Sequence, residues 1–259
     1  MKDTPCPLAK KVHLCGMKKV ILTFLLSAYL LNGFAITDKI KLGLSVSPGM
    51  GWLKPLGKNI GSNANGVAYA MQYGIVLDFY FKGQNYGIST GLFGGMDGGS
   101  VFGRDSFAKW NAGRYITESY SNHYVTLPIY LKLKTNPIKN FRLYGQIGFS
   151  FVFTVSSRAS FDQAVYSPYW ATAVTIDREN ILKGPNDVQK LIPEFKYQIF
   201  DARLSVGGGF EYETKAKVSP FFGIYYYNGF VSVMNDGRVN PKGDGVVMRN
   251  LLFSFGVMF

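Results

Sequence analysis

From residue 40 to Phe259, apolar and polar positions alternate in segment after segment. Ile40, Leu42, Leu44 and Val46 alternate with Lys41, Gly43, Ser45 and Ser47. A second segment sets Tyr69, Met71, Tyr73, Ile75, Leu77, Phe79 and Phe81 against Ala68, Ala70, Gln72, Gly74 and Asp78. A third runs from Tyr86 through Ile88, Thr90 and Leu92. The fourth sets Val125, Leu127, Ile129, Leu131 and Leu133 against Thr126, Tyr130, Lys132 and Lys134. The fifth sets Phe141, Leu143, Ile147, Phe149, Phe151 and Phe153 against Arg142, Tyr144, Gln146, Gly148 and Ser150. In the sixth, Phe200, Ala202, Leu204, Val206, Phe210 and Tyr212 oppose Asp201, Arg203, Ser205 and Glu211. The seventh, about 218–232, is aromatic on both faces, so the pattern gives it no orientation. The eighth closes the chain with Leu251, Phe253, Phe255, Val257 and Phe259 on one face. Period two is the signature of strands, whose successive side chains point to opposite faces.

Connection lengths also alternate. Short turns fall at 82–85, 136–140 and 213–217, and long loops at about 51–66, 97–121, 156–195 and 234–245. The pattern predicts an all-β fold: an eight-stranded antiparallel transmembrane β-barrel with short periplasmic turns and long extracellular loops. Both termini then lie at the periplasmic end. A soluble barrel alternates too, with its apolar face inward. An eight-stranded interior is only just filled by side chains, however, and these Phe, Tyr, Leu and Ile residues would overfill it. Their place is outside, against lipid, and the Gly, Ser and Ala face suits a narrow polar lumen.

Composition agrees. Hydrophobic residues make up 47%, aromatics 16% and charged residues 17%, which is too apolar for a disordered chain. Thirty glycines argue against a helical bundle. At the N-terminus, Lys18 and Lys19, the apolar run Val20–Leu31 and Gly33-Phe34-Ala35 read as a secretory signal with cleavage after Ala35. Its apolar run is 12 residues, short of a spanning helix. Met17 is the expected start, and residues 1–35 are the upstream stretch and signal. Residues 36–259 are the barrel domain, exported to the outer membrane. Both cysteines, Cys6 and Cys15, precede the signal's apolar run, so the exported chain carries no disulfide. Removing the leader lowers the net charge from +12 to +8.

The stretch Tyr124-Val125-Thr126-Leu127-Pro128-Ile129-Tyr130-Leu131-Lys132-Leu133-Lys134 resembles a strand of the PorT-like family of Gram-negative outer-membrane β-barrels. That strand reads Y-x-x-(I/L)-P-x-x-(L/A)-K in the family. The family's next strand often carries P-Y-x-x-x-G-x-x; here Arg142-Leu143-Tyr144-Gly145-Gln146-Ile147-Gly148 has Leu143 where proline is common. The Gly-rich stretch Tyr86–Leu92 also fits. The resemblance implies a barrel and, through the family's namesake, a link to type IX secretion and gliding. It transfers no catalytic motif. It implies a non-enzymatic scaffold or accessory factor in protein secretion, with a secretion-system or periplasmic protein as partner. The alternatives are a surface-binding or adhesion barrel acting through its long loops, and a lipid-A-modifying enzyme.

Candidate chemistry is sparse. Lys41, Asp78, Lys132, Arg142, Asp201, Arg203 and Glu211 fall on the inward faces, and charges of both signs there predict an ion-paired, plugged lumen. Lys132, Lys134, Lys139 and Arg142 form the largest basic cluster, placed to meet head groups or a periplasmic partner. No broad basic face with exposed aromatics is present, which argues against nucleic acid. Phe259 ends the chain as an aromatic signal for the barrel-assembly machinery. Trp52, Trp110, Trp170 and Tyr225–Tyr227 are candidates for an interfacial girdle among outer-membrane lipids. Trp170, Asp187 and Lys190 mark the long third loop as a candidate binding surface, with Asn186-Asp187 placed to cap a helical turn. His123 with Ser121 and Glu118 is the one arrangement with the residue types of a hydrolase. Asp97, alone among the glycines of 94–99, is a weak calcium candidate. With one histidine and no cysteine in the exported chain, no transition-metal site and no cofactor are expected.

Overall fold

The computed structural model describes residues 39–56, 63–81, 85–104, 114–166, 171–182, 196–214, 218–235 and 245–259. Among the described residues, eleven strands make up one sheet. They are β1 (Ile40–Pro55), β2 (Asn63–Tyr80), β3 (Tyr86–Arg104), β4 (Arg114–Lys134), β5 (Phe141–Tyr166), β6 (Ala171–Asn180), β7 (Lys196–Tyr197), β8 (Phe200–Tyr212), β9 (Ser219–Gly229), β10 (Met234–Asn235) and β11 (Val246–Met258). Eight of them pair in the order β1-β2-β3-β4-β5-β8-β9-β11, all antiparallel. β1 pairs with β11 and closes the barrel. Across this seam the Phe259 N–H donates to the Leu42 carbonyl at 2.7 Å.

Register sets the barrel's shape. Passing partner to partner from Leu42 through Leu77, Thr90, Ile129, Phe149, Leu204, Asn228 and Arg249, the path returns to β1 at Trp52, ten residues further on. Such a stagger tilts the strands, and with eight strands the lumen is narrow enough for side chains to fill.

The two faces separate as the alternation predicts. Tyr73, Ile75, Phe79, Leu92, Val125, Leu127, Ile129, Leu131, Leu133, Leu143, Ile147, Phe149 and Phe255 all point outward and are exposed. On β4 this apolar face runs from Val125 to Leu133 along a tilted strand. That is the length at which a tilted strand spans a bilayer's apolar band, about 9–11 residues. Inside lie Ser45, Ser47, Gln72, Thr126, Ser150, Ser205 and Ser254, all buried.

Three sequence expectations are corrected. First, the long loops are largely strand: 51–55 belongs to β1, 63–66 to β2, 97–104 to β3 and 114–121 to β4. In the third loop, β5 continues to Tyr166 and β6 returns beside it. Polar outward residues in these stretches masked the alternation, because no lipid selects for apolar side chains there. Second, β9 takes a definite orientation. Tyr225 and Tyr227 point inward and are buried, whereas Tyr226 points outward. Third, Lys132 and Lys134 do not meet head groups; both are buried in the lumen. Trp110, Trp170, Asp187 and Lys190, the helical cap at Asn186-Asp187 and the signal segment lie outside the described residues.

Candidate functional site

The lumen is built in layers. The layer nearest the short turns is ionic. Lys132 Nζ lies 2.6 Å from Asp78 Oδ2 and 2.7 Å from Glu211 Oε1. Lys134 Nζ lies 2.5 Å from Glu211 Oε2. β4 supplies both lysines at spacing two, so both point inward; β2 and β8, each two strands from β4 on either side, supply the acids. The Tyr80 hydroxyl donates to Asp78 Oδ2 at 2.7 Å. The Tyr80 ring lies under Lys134 at 4.3 Å and the Tyr144 ring under Lys132 at 4.7 Å. Two cations meet two anions, and aromatic faces cover the remaining cationic surface. At the rim, Arg142 Nε pairs with Glu213 at 2.7 Å. Lys41 is half-buried and stands opposite Asp78 in register.

The middle layer holds hydroxyls and amides. Ser47 donates to Ser254 at 2.9 Å, and the Ser45 and Ser254 hydroxyls are 2.8 Å apart. Tyr225 donates to the Tyr144 hydroxyl at 3.0 Å, and the Tyr130 and Ser150 hydroxyls meet at 2.5 Å. A Cβ at Gly223 would lie 2.4 Å from the Tyr144 hydroxyl, so glycine makes room for that ring. A cavity of about 40 Å³ lies here, walled by Ser45, Gln72, Ser89, Gln146 and Tyr227 among others. Val76, Phe93 and Met258 share its wall with these polar groups, and it is large enough for water.

The next layer outward is ionic again. Arg203 Nη1 lies 2.7 Å from Asp97 Oδ2 and Arg203 Nε lies 2.6 Å from Asp201 Oδ2. Asn122 and Asn250 donate to Asp97 at 3.1 and 3.0 Å, and Ser157 donates to Asn122 at 2.6 Å. Arg203 also lies over the Tyr124 ring at 5.3 Å. The glycines around Asp97 bring its strand close to its neighbours: a Cβ at Gly95 would lie 2.7 Å from the Tyr124 ring. Beyond this layer the interior turns apolar. Leu53, Val101, Tyr120, Ala159, Ile181, Val233 and Met248 form one buried cluster across the barrel mouth.

The catalytic and calcium candidates fail on geometry. Ser121 and His123 are exposed on the outer face of β4, while Glu118 is buried on the inner face and accepts from Tyr120 at 2.7 Å. No hydroxyl–imidazole–carboxylate line forms from residues on opposite faces. Asp97 spends both oxygens on Arg203, Asn122 and Asn250.

The closed barrel, its apolar exterior and its ionic lumen are now joined by a family match. The family described as "Outer membrane protein beta-barrel domain" matches residues 35–235. The chain belongs to this family. No curated protein matches this outer-membrane barrel in sequence. Among solved structures it is similar to the attachment invasion locus protein Ail of Yersinia pestis, in complex with the heparin analogue sucrose octasulfate. That match has 12% identity and a TM-score of 0.35, over 85% of this chain and 99% of that one. Similar too are OprG from Pseudomonas aeruginosa (12% identity, TM-score 0.39, 84% and 95%) and Neisserial surface protein A (10%, 0.36, 84% and 95%).

Of the seven lumen residues chosen from sequence, Asp78, Lys132 and Glu211 meet in the inner layer and Asp201 and Arg203 in the outer one. Arg142 pairs at the rim, and Lys41 stands beside the inner layer. Sequence reasoning missed Lys134, Tyr80, Asp97, Asn122 and Asn250 as lumen partners. The signal for Lys134 was its spacing of two from Lys132. For Asp97 it was a lone acid on the inward parity of β3.

Proposed function

We propose that this protein is a non-enzymatic outer-membrane barrel that works through its surfaces, as a scaffold or accessory factor in protein secretion of the PorT-like kind. The observation that carries the reading is the filled lumen: two ionic layers and an apolar cluster cross it. An interior committed to packing leaves the periplasmic rim and the sheet above the membrane as the working parts. The β4 motif with Pro128 and Lys132 supports the secretion branch. The separation of Ser121 and His123 from Glu118 supports the non-enzymatic one.

The test is the secretome of a deletion strain against its parent, by quantitative mass spectrometry with outer-membrane integrity checked in parallel. A set of exported proteins is expected to vanish from the medium and accumulate in the periplasm. An unchanged secretome overturns the secretion reading.

A second reading, surface binding, is favoured by one feature. The upper parts of β4 and β5 and the whole of β6 form a continuous sheet beyond the apolar band. Grafting residues 156–182 onto an inert barrel tests it. Binding to a candidate ligand is expected to move with the graft, and failure to transfer counts against it.

A further inference from the structure

The outer face of β1, β11 and β9 near the long-loop end carries an ordered grid that the lumen does not use. Register places Met50, Leu251 and Tyr226 in one row across the three strands. Trp52, Arg249 and Asn228 form the next row outward. Lys54, exposed, follows Trp52 on the same face. Trp52 packs on Tyr226 with ring centroids 6.2 Å apart. Towards the periplasm the same face is apolar, with Phe253, Phe255, Phe222 and Ile224. Within two rows the surface passes from aliphatic to aromatic to cationic. That is the order of a lipid from chain to interface to head group.

Two observations call for an anion. β1, β9 and β11 contain no Asp or Glu, so Lys54 and Arg249, diagonal neighbours on paired strands, receive no counter-charge from the strands that carry them. Like charges at cross-strand range repel. In addition, Arg249 Nε is buried and finds no hydrogen-bond acceptor among the described residues. A desolvated donor left unpaired costs free energy. A phosphate answers both: it accepts from the guanidinium fork and neutralises the ammonium beside it.

We propose that Lys54 and Arg249, above the shelf of Trp52 and Tyr226, bind the phosphate of a phosphorylated glycolipid of the outer leaflet. Its acyl chains lie along Leu251 and Phe253. The bound lipid packs against the β1–β11 seam, where the barrel closes.

The test is native mass spectrometry of the full protein released from detergent micelles. The probes are bisphosphorylated lipid A and the same lipid with its phosphates removed. The proteins are wild type, Lys54→Gln/Arg249→Gln, and Lys39→Gln, exposed at the opposite end of β1, as a control. Wild type and control are expected to retain the phosphorylated probe. The double variant is expected to retain about thirtyfold less, as two lost charge contacts of ~1 kcal/mol each imply. The dephosphorylated probe is expected to be lost equally from all three. Equal retention by wild type and double variant overturns the site. So does retention by wild type that ignores the phosphates, a comparison that decides the matter even if the double variant does not fold.

Discussion

Glu211 bridges Lys132 and Lys134 in a place from which lipid and strand backbones exclude bulk water. Two charges taken out of water are tolerated only while both stay paired. Glu211→Gln leaves two buried ammonium groups facing Asp78 alone, and removing one partner of a buried pair costs about 3–5 kcal/mol. The urea midpoint of the protein folded in lipid vesicles is expected to fall accordingly. Glu211→Gln/Lys134→Gln, which removes one charge of each sign, is expected to recover most of the loss; an unchanged midpoint in the single variant would mean that water reaches the layer. At the tip of the β4–β5 turn, Lys139 has φ 58°, in the left-handed region. The bridge between Ile138 and Phe141 holds it there. Left-handed backbone costs a residue with a Cβ roughly 1–2 kcal/mol, and glycine avoids this cost. Lys139→Gly is therefore expected to raise the unfolding free energy read from the same urea titration by about 1 kcal/mol; a fall would show that the Lys139 side chain contributes more than the strain costs. Pro128 presents the opposite case. It sits inside β4 with no N–H to give, and the Thr90 hydroxyl donates to its carbonyl at 2.7 Å. Thr90→Val removes that bond at nearly constant volume and is expected to cost about 1 kcal/mol.

At the scale of strands, the membrane-facing segments were legible because lipid on one side and a polar lumen on the other impose a strict period of two. β4 and β5 show it from residues 125 to 133 and 141 to 153. The same strands became illegible where they leave the bilayer. Ser119, Ser121 and His123 point outward to water, so polar residues occupy both faces and the contrast vanishes. The register shift beside His123 and Tyr124 falls at this boundary: Tyr124 pairs with Thr154 but His123 with Ser156. The extra residue, Val155, bends the strand, as bulges do at barrel rims. β9 defeated the pattern for another reason. Tyr225 and Tyr227 are amphipathic and fill the lumen with rings whose hydroxyls find partners, so an inward face looked as aromatic as an outward one. The hairpin of upper β5 and β6 pairs only with upper β4 among the described residues, and β5–β8 closure uses residues 141–153. Replacing residues 161–178 by a short turn is therefore expected to leave the heat-modifiable electrophoretic shift of the folded barrel intact. Loss of that shift would place the hairpin among the elements the barrel needs in order to close.

The whole molecule reverses its polarity along one axis. Within the bilayer it is apolar outside and ionic inside; above the bilayer the inside turns apolar at Leu53, Val101 and Met248, and β4 shows a polar outer face. Each part obeys the same rule, that apolar surface meets whatever is not water. The change of solvent, from lipid to water, inverts the side on which that surface lies. This arrangement has a consequence for permeation. An ion entering from outside meets the apolar cluster, then Arg203 bonded to Asp97 and Asp201, then the Lys132–Glu211–Lys134 layer. Three blocks in series make the first two removable without effect. Wild-type protein in planar bilayers is expected to pass no steady current. Neither Leu53→Ser nor the triple variant Asp97→Ser/Asp201→Ser/Arg203→Ser is expected to change that, since each leaves the other block and the lysine layer in place. Steady current is expected only when Asp78, Lys132, Lys134 and Glu211 are replaced by serine as well and the buried rings of Tyr130, Tyr144, Tyr225 and Tyr227 in the middle layer are cut back to alanine. Conductance in either of the partial variants would show that the lysine layer is not a barrier, and the lumen would then return as a working part of the protein.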